Sequence, residues 1–231
     1  MLMTFLLILA AIIPPILIML FVYYQDKFER EEMHHLALAV FLGGLSIFPA
    51  LYLEQTISEN FEIDLFNHFH TFLYSFFGIA LVEELMKAIF FLAIIYNRKF
   101  FNEPYDGIVY SLFLSMGFAL FENCSYVFDF GFTTALVRAF TAVPAHAVFA
   151  IILGYYFGRS KFEKENRYKL IAIGILLAVI AHGIYDLLIL QTFSEPLMAL
   201  SAVFIYGLAY VCWKYMKRLL EMSPFNQEVS S

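Results

Sequence analysis

Apolar residues in this chain do not alternate with polar ones. They run on for roughly 20 positions at a time, the length that crosses a hydrocarbon core, and then give way to short polar stretches. The pattern predicts seven spans, at 3–24, 36–54, 71–96, 107–130, 134–158, 170–190 and 197–217. Continuous apolar runs point to helices, because a backbone in lipid must satisfy its own hydrogen bonds. The fold class predicted is therefore all-α, a polytopic transmembrane helical bundle. Residues 1–231 read as a single membrane domain, with a polar tail at 218–231. The first run lacks a positively charged leader, which favours a span over a cleaved signal. Loop 55–70 is acidic and aromatic, and a short interfacial helix is expected there.

Charge orients the bundle. Lys27 and Arg30 lie in the first loop, Arg98 and Lys99 in the third, and five basic residues between Arg159 and Lys169 in the fifth. Lys214, Lys217 and Arg218 lie at the C-terminal end, while loops 55–70, 131–133 and 191–196 hold no Lys or Arg. The positive-inside rule then places the N-terminus outside and the C-terminus in the cytoplasm. Composition agrees with a membrane protein: 62% of residues are hydrophobic and 15% charged, against about 25% in soluble domains. The net charge of −6, with no basic patch outside the loops, argues against nucleic-acid partners. Cys124 and Cys212 lie in different apolar runs and have no metal-finger spacing.

The spans are not purely apolar. The third carries Glu83, Glu84 and Lys87; the fourth, Glu122 and Asn123; the fifth, Arg138 and His146; the sixth, His182 and Asp186. An ionised group at mid-bilayer costs roughly 2.5–3.5 kcal/mol, so these groups must face one another or a water-filled cavity. Helical spacing allows it: Glu83 and Lys87 are four apart, as are His182 and Asp186. The assumed span ends put Glu83, Glu122, His146 and His182 at roughly one depth, somewhat outside the midplane. Such a set has the parts of a hydrolase. A carboxylate can take a proton from water, and imidazole and amide groups can stabilise an oxyanion. The same Glu and His groups could instead hold zinc and activate its water. Lys87 and Arg138 are expected to be charge partners.

Four motifs stand in order inside the spans: Glu83-Glu84-x-x-Lys87, Phe121-Glu122-Asn123-x-x-Tyr126, Arg138 followed eight residues on by His146, and His182-x-x-x-Asp186. Together they resemble the PrsW family of intramembrane proteases and, more distantly, the CAAX-protease and Abi superfamily. The resemblance covers residues 71–190. Lys87, where the CAAX branch usually has an Arg further along, favours the PrsW branch. It implies an intramembrane endopeptidase of glutamic or metallo type in a bacterial cytoplasmic membrane. The implied catalytic residues are Glu83, Glu84, Glu122, Asn123, His146, His182 and Asp186. For a metal-dependent reaction, Glu84, His146 and His182 are the expected ligands and zinc the expected ion. The implied substrate is a single-pass membrane protein, with site-1 cleavage of an anti-sigma factor in the best-known members. Two other classes fit buried Glu, His and Lys: a proton-coupled transporter and a non-catalytic scaffold for transmembrane helices.

Overall fold

The computed structural model describes residues 2–192 and 194–226, and among them the secondary structure is helical without strands. Nine α-helices follow in order. α1 is Leu2–Gln25 and α2 is Met33–Asn60. The next run begins with α3, His68–Leu73, passes through π-helical turns at Tyr74–Ala80, continues as α4, Leu81–Phe90, and ends in π-helical turns at Phe91–Ile95. α5 is Asp106–Phe130, α6 is Phe132–Phe140 and α7 is Ala142–Phe162. After a 3₁₀ turn at Lys164–Asn166 come α8, Arg167–Leu190, and α9, Glu195–Glu221.

Among the described residues, six helical stretches are long and apolar enough to cross a membrane. The predicted third span, 71–96, is not among them as a single α-helix. It is helical throughout, but π turns interrupt it on both sides of Glu83, Glu84 and Lys87. Such turns often accompany functional sites, because the extra residue re-aims the side chains that follow. The predicted fifth span also differs. It breaks at Thr141, whose backbone leaves the helical region, so Arg138 and His146 sit on separate helices, α6 and α7. Pro144 falls in the first turn of α7, where a missing N–H costs nothing. The expected loop 55–70 is mostly helix: α2 runs on to Asn60, and α3 starts at His68 with the Asn67 side chain accepting from the backbone N–H groups of Phe69 and His70. The expected tail is helical as far as Glu221, and its residues 227–231 lie outside the described residues.

α5 is the central element. Every residue from Asp106 to Ala119 is buried, a helix enclosed on all sides. It packs against α2 on one side and α7 on the other, with α1 alongside, while α9 lies outermost against α7 and α8. Large apolar side chains such as Leu17, Phe41, Phe48 and Val203 point outward, as a lipid-facing surface requires.

Close approach to α5 is made by small residues, as the spacing of the glycines suggests. A Cβ at Gly43 of α2 would stand 1.8 Å from the Leu114 carbonyl oxygen, and one at Gly117 of α5 would stand 2.1 Å from that of Val40. Gly154 and Gly158 of α7 likewise meet the backbone of Gly107 and Pro104. Gly207 of α9, in contrast, has nothing within 4 Å of a Cβ position. Gly43→Ala is therefore expected to lower stability by about 1–3 kcal/mol, and Gly207→Ala to leave it unchanged or slightly higher. Thermal unfolding of the two purified variants checks this; equal melting temperatures would contradict the backbone-contact account.

Candidate active site

The site is built on α4 from helical spacing alone. Glu83, Glu84 and Lys87 fall on one side of that short helix, and all three are buried. Lys87 Nζ donates to Glu83 Oε2 at 2.9 Å and to Glu84 Oε1 at 2.8 Å. Its third contact is His146 Nδ1 of α7 at 3.3 Å. An ammonium has three hydrogens and no lone pair, so Nδ1 is the accepting nitrogen and the His146 proton sits on Nε2. That proton is donated to Glu122 Oε2 of α5 at 2.7 Å. The Phe118 ring, 4.2 Å from Lys87 Nζ, closes the apolar side of the ammonium.

Glu122 has a second partner, and this one is a cation. Arg138 Nη2 lies 2.8 Å from Glu122 Oε1, and Arg138 Nε donates to Asn123 Oδ1 at 2.7 Å. The guanidinium also lies 4.0 Å from the centre of the Tyr126 ring. Arg138 therefore partners Glu122 rather than the Glu83–Glu84 pair. The break at Thr141 allows this, since it lets α6 lean over the end of α5 independently of α7.

α8 supplies the remaining groups. His182 shares Glu84 with Lys87: its Nδ1 is 3.0 Å from Glu84 Oε1. Its other nitrogen, Nε2, is 3.3 Å from Asp186 Oδ2, within ion-pair distance but outside hydrogen-bond geometry. Phe149 stacks on the His182 ring with centroids 4.6 Å apart and fixes its plane. Gly183 makes room for the π segment, since a Cβ there would meet the Phe76 ring at 2.6 Å.

These groups face a cavity of about 260 Å³. Glu83, Glu122, Arg138, His146, His182 and Asp186 line it; Glu84, Lys87 and Asn123 lie behind its wall. All nine residues expected from the sequence thus belong to one connected cluster. Glu54 of α2 was not expected there. It lines the same cavity, and its Oε1 is shielded from solvent with no hydrogen-bond partner. The signal was present, a lone acid in an apolar run, but the assumed end of the second span at residue 54 placed it in the interface. Tyr74 and Tyr185 also line the cavity.

The cluster is rich in acid. Glu54, Glu83, Glu84, Glu122 and Asp186 gather around two permanently charged bases, Lys87 and Arg138. The donor set suits a divalent ion. One ligand atom each of Glu83, Glu84 and His182 lies within 4.8 Å of the others, and the mixture of carboxylate and imidazole suits zinc. His146, expected as a ligand, stands apart from that trio because both its nitrogens are committed to Lys87 and Glu122.

Comparison with known proteins gives the family. The profile of the PrsW family intramembrane metalloproteases matches residues 31–213. The protein named Protease PrsW of Oceanobacillus iheyensis is 35% identical over 94% of this chain and 97% of its own length. Its namesake in Clostridioides difficile is 32% identical over 89% of this chain and 86% of its own. That of Bacillus subtilis is 32% identical over 80% and 83%. No solved structure matches. The chain belongs to the PrsW family and is an intramembrane protease, integral to a membrane through its apolar helices.

Proposed function

We propose that this protease is an endopeptidase that cuts a single-pass membrane protein, with Glu83 as the base that activates water. The supporting observation is the division of the glutamate pair. Glu83 is at the cavity wall, whereas Glu84 is behind it, bound to both Lys87 and His182. Lys87 fixes one oxygen of Glu83, and the other remains to take a proton from water. Glu84 is the positioning residue that holds Lys87 and His182 in register. Arg138, at the wall, stabilises the oxyanion of the tetrahedral intermediate, and His146, whose nitrogens bind Lys87 and Glu122, holds those two groups in place. Asn123 acts through Arg138, because its side-chain oxygen accepts from the guanidinium. His182, with Asp186 beyond it, passes a proton to the leaving amine. A bound divalent ion would be held by Glu83, Glu84 and His182, and would supply Lewis acidity and a water of lowered pKa.

The side of cleavage follows from position along the helices. Glu122 is eight residues from the end of α5, His182 eight from the end of α8 and Asp186 four from it. That end of the bundle is opposite the basic loops. With those loops in the cytoplasm, and the run from His68 to Ile95 taken as a seventh crossing, the N-terminus is outside and the cavity opens toward the outer face. This is the side on which an anti-sigma factor would receive its first cut. An apolar groove of about 400 Å³, lined by Ile57, Phe61, Ile63 and Leu73, adjoins the site at Tyr74, which lines both. We assign it to the substrate segment that leads to the scissile bond.

Two outcomes are expected in proteoliposomes with a single-pass substrate. Glu83→Gln is expected to lower kcat by about 10²–10⁴ with substrate capture retained. Cleavage at the wild-type rate would remove Glu83 from the base role. Arg138→Gln leaves the Glu122 carboxylate without its cation and is expected to destabilise the protein by about 3–5 kcal/mol. Adding Glu122→Gln is expected to restore melting behaviour but not cleavage. Recovery of both would make the pair purely structural.

A further inference from the structure

A second group of acids lies at the other end of the bundle, away from the catalytic cavity. Asp26 follows α1, Glu103 lies in the connection before α5, and Asp106 opens α5. They are 1%, 0% and 0% exposed. One ligand atom of each lies within 4.8 Å of the other two. Their surroundings do not neutralise them. Among the described residues no Lys or Arg forms an ion pair with any of the three. Lys161 acts on Asp106 electrostatically without pairing with it, and its Nζ donates to the Arg98 carbonyl oxygen at 2.8 Å.

The individual oxygens carry the argument further. Asp106 Oδ2 accepts from the backbone N–H groups of Asn102 at 2.7 Å and Glu103 at 2.9 Å, which folds the connection around it. Asp106 Oδ1 accepts nothing. Both carboxylate oxygens of Asp26 and both of Glu103 are likewise sealed from solvent without a partner in hydrogen-bond geometry, although the Glu29 backbone stands beside Asp26, Ser223 beside Glu103 and Glu31 beside Asp106. The Tyr105 hydroxyl, also buried, is unpartnered as well. A single orphaned carboxylate would be costly, and three converging at one point call for a cation.

We propose that Asp26, Glu103 and Asp106 form a binding site for a hard divalent cation, separate from the catalytic centre. All-oxygen carboxylate donors select magnesium, calcium or manganese rather than zinc. The ion clamps the end of α1 and the 96–105 connection to the start of α5. Asp106 and Glu122 are sixteen residues apart on α5, or ~24 Å along the helix, so an ion here cannot touch the reacting atoms. Its role is to fix the depth and rotation of the helix that carries Glu122 and Asn123.

The test uses the full-length protein in detergent, stripped with a chelator and titrated with Mg²⁺, Ca²⁺ or Mn²⁺. The expected result is saturable binding of one Mn²⁺ per chain by paramagnetic resonance and a melting temperature raised by roughly 5–10 °C at a hundredfold excess over Kd. Both should persist in Glu83→Gln, which removes a catalytic donor and leaves Lys87 paired with Glu84. Both should vanish in Asp26→Asn, a near-isosteric change at the edge of α1 that leaves the Asp106 turn intact. No saturable binding to the wild type would overturn the proposal, and so would binding undiminished in both Asp26→Asn and Glu103→Gln. A melting temperature that is independent of cations and rises in Asp26→Asn would show that the cluster instead shares protons, and would also overturn it.

Discussion

The structure depends on one constraint: a charge within the bilayer must be held by an opposite charge. Lys87 is the clearest case. It uses all three hydrogens, on Glu83, Glu84 and His146, and in doing so joins α4 to α7. The chain of contacts continues from His146 to Glu122, from Glu122 to Arg138 and from Arg138 to Asn123. A second branch passes from Glu84 to His182 on α8. Each link offsets a desolvation cost that lipid would otherwise impose, and the same links set the positions of the groups that do chemistry. In the proposed function the stabilising and the catalytic arrangements are one network.

That network leaves an imbalance that is useful. Its acids outnumber its fixed cations, and Glu54 Oε1, without a hydrogen-bond partner, and Asp186 Oδ2, with only its ion-pair contact to His182, belong to residues that line the cavity. Water, a proton or a metal ion therefore gains by entering the cavity. The surrounding scaffold keeps it in place through close backbone contact. Gly43 and Gly117 let α2 lie against α5, and Gly154 and Gly158 do the same for α7, so the helices that bear Glu54, Glu122 and His146 are held at short range.

Much of this was legible in the sequence because lipid makes polar residues conspicuous. Glu83, Glu84, Lys87, Glu122, Arg138, His146, His182 and Asp186 stood out against apolar runs, and the spacing of four correctly paired Glu83 with Lys87 and His182 with Asp186. Hydropathy could not show where helices break. The π turns around α4 and the break at Thr141 are changes of backbone geometry within apolar sequence, and they decide which side chain meets which. For that reason the partner of Arg138 and the separation of His146 from the Glu83–Glu84–His182 trio emerged only in three dimensions. Glu54 was missed for a simpler reason, since a span end misplaced by six residues moved it from the site to the surface. The acids at Asp26, Glu103 and Asp106 sat in loops or at a helix start, where charge is ordinary, and only their burial distinguishes them.

The central claim is that the buried acid–base cluster hydrolyses peptide bonds of membrane-anchored proteins. The most direct measurement compares new protein N-termini in membranes of cells that express either the wild type or a Glu83→Gln, Glu84→Gln double variant at equal levels. New termini that appear only with the wild type, close to the outer boundary of single-pass proteins, are the predicted result and would identify the substrate. Identical profiles from two equally abundant, folded proteins, in cells shown to contain the substrate of the wild type, would contradict the account.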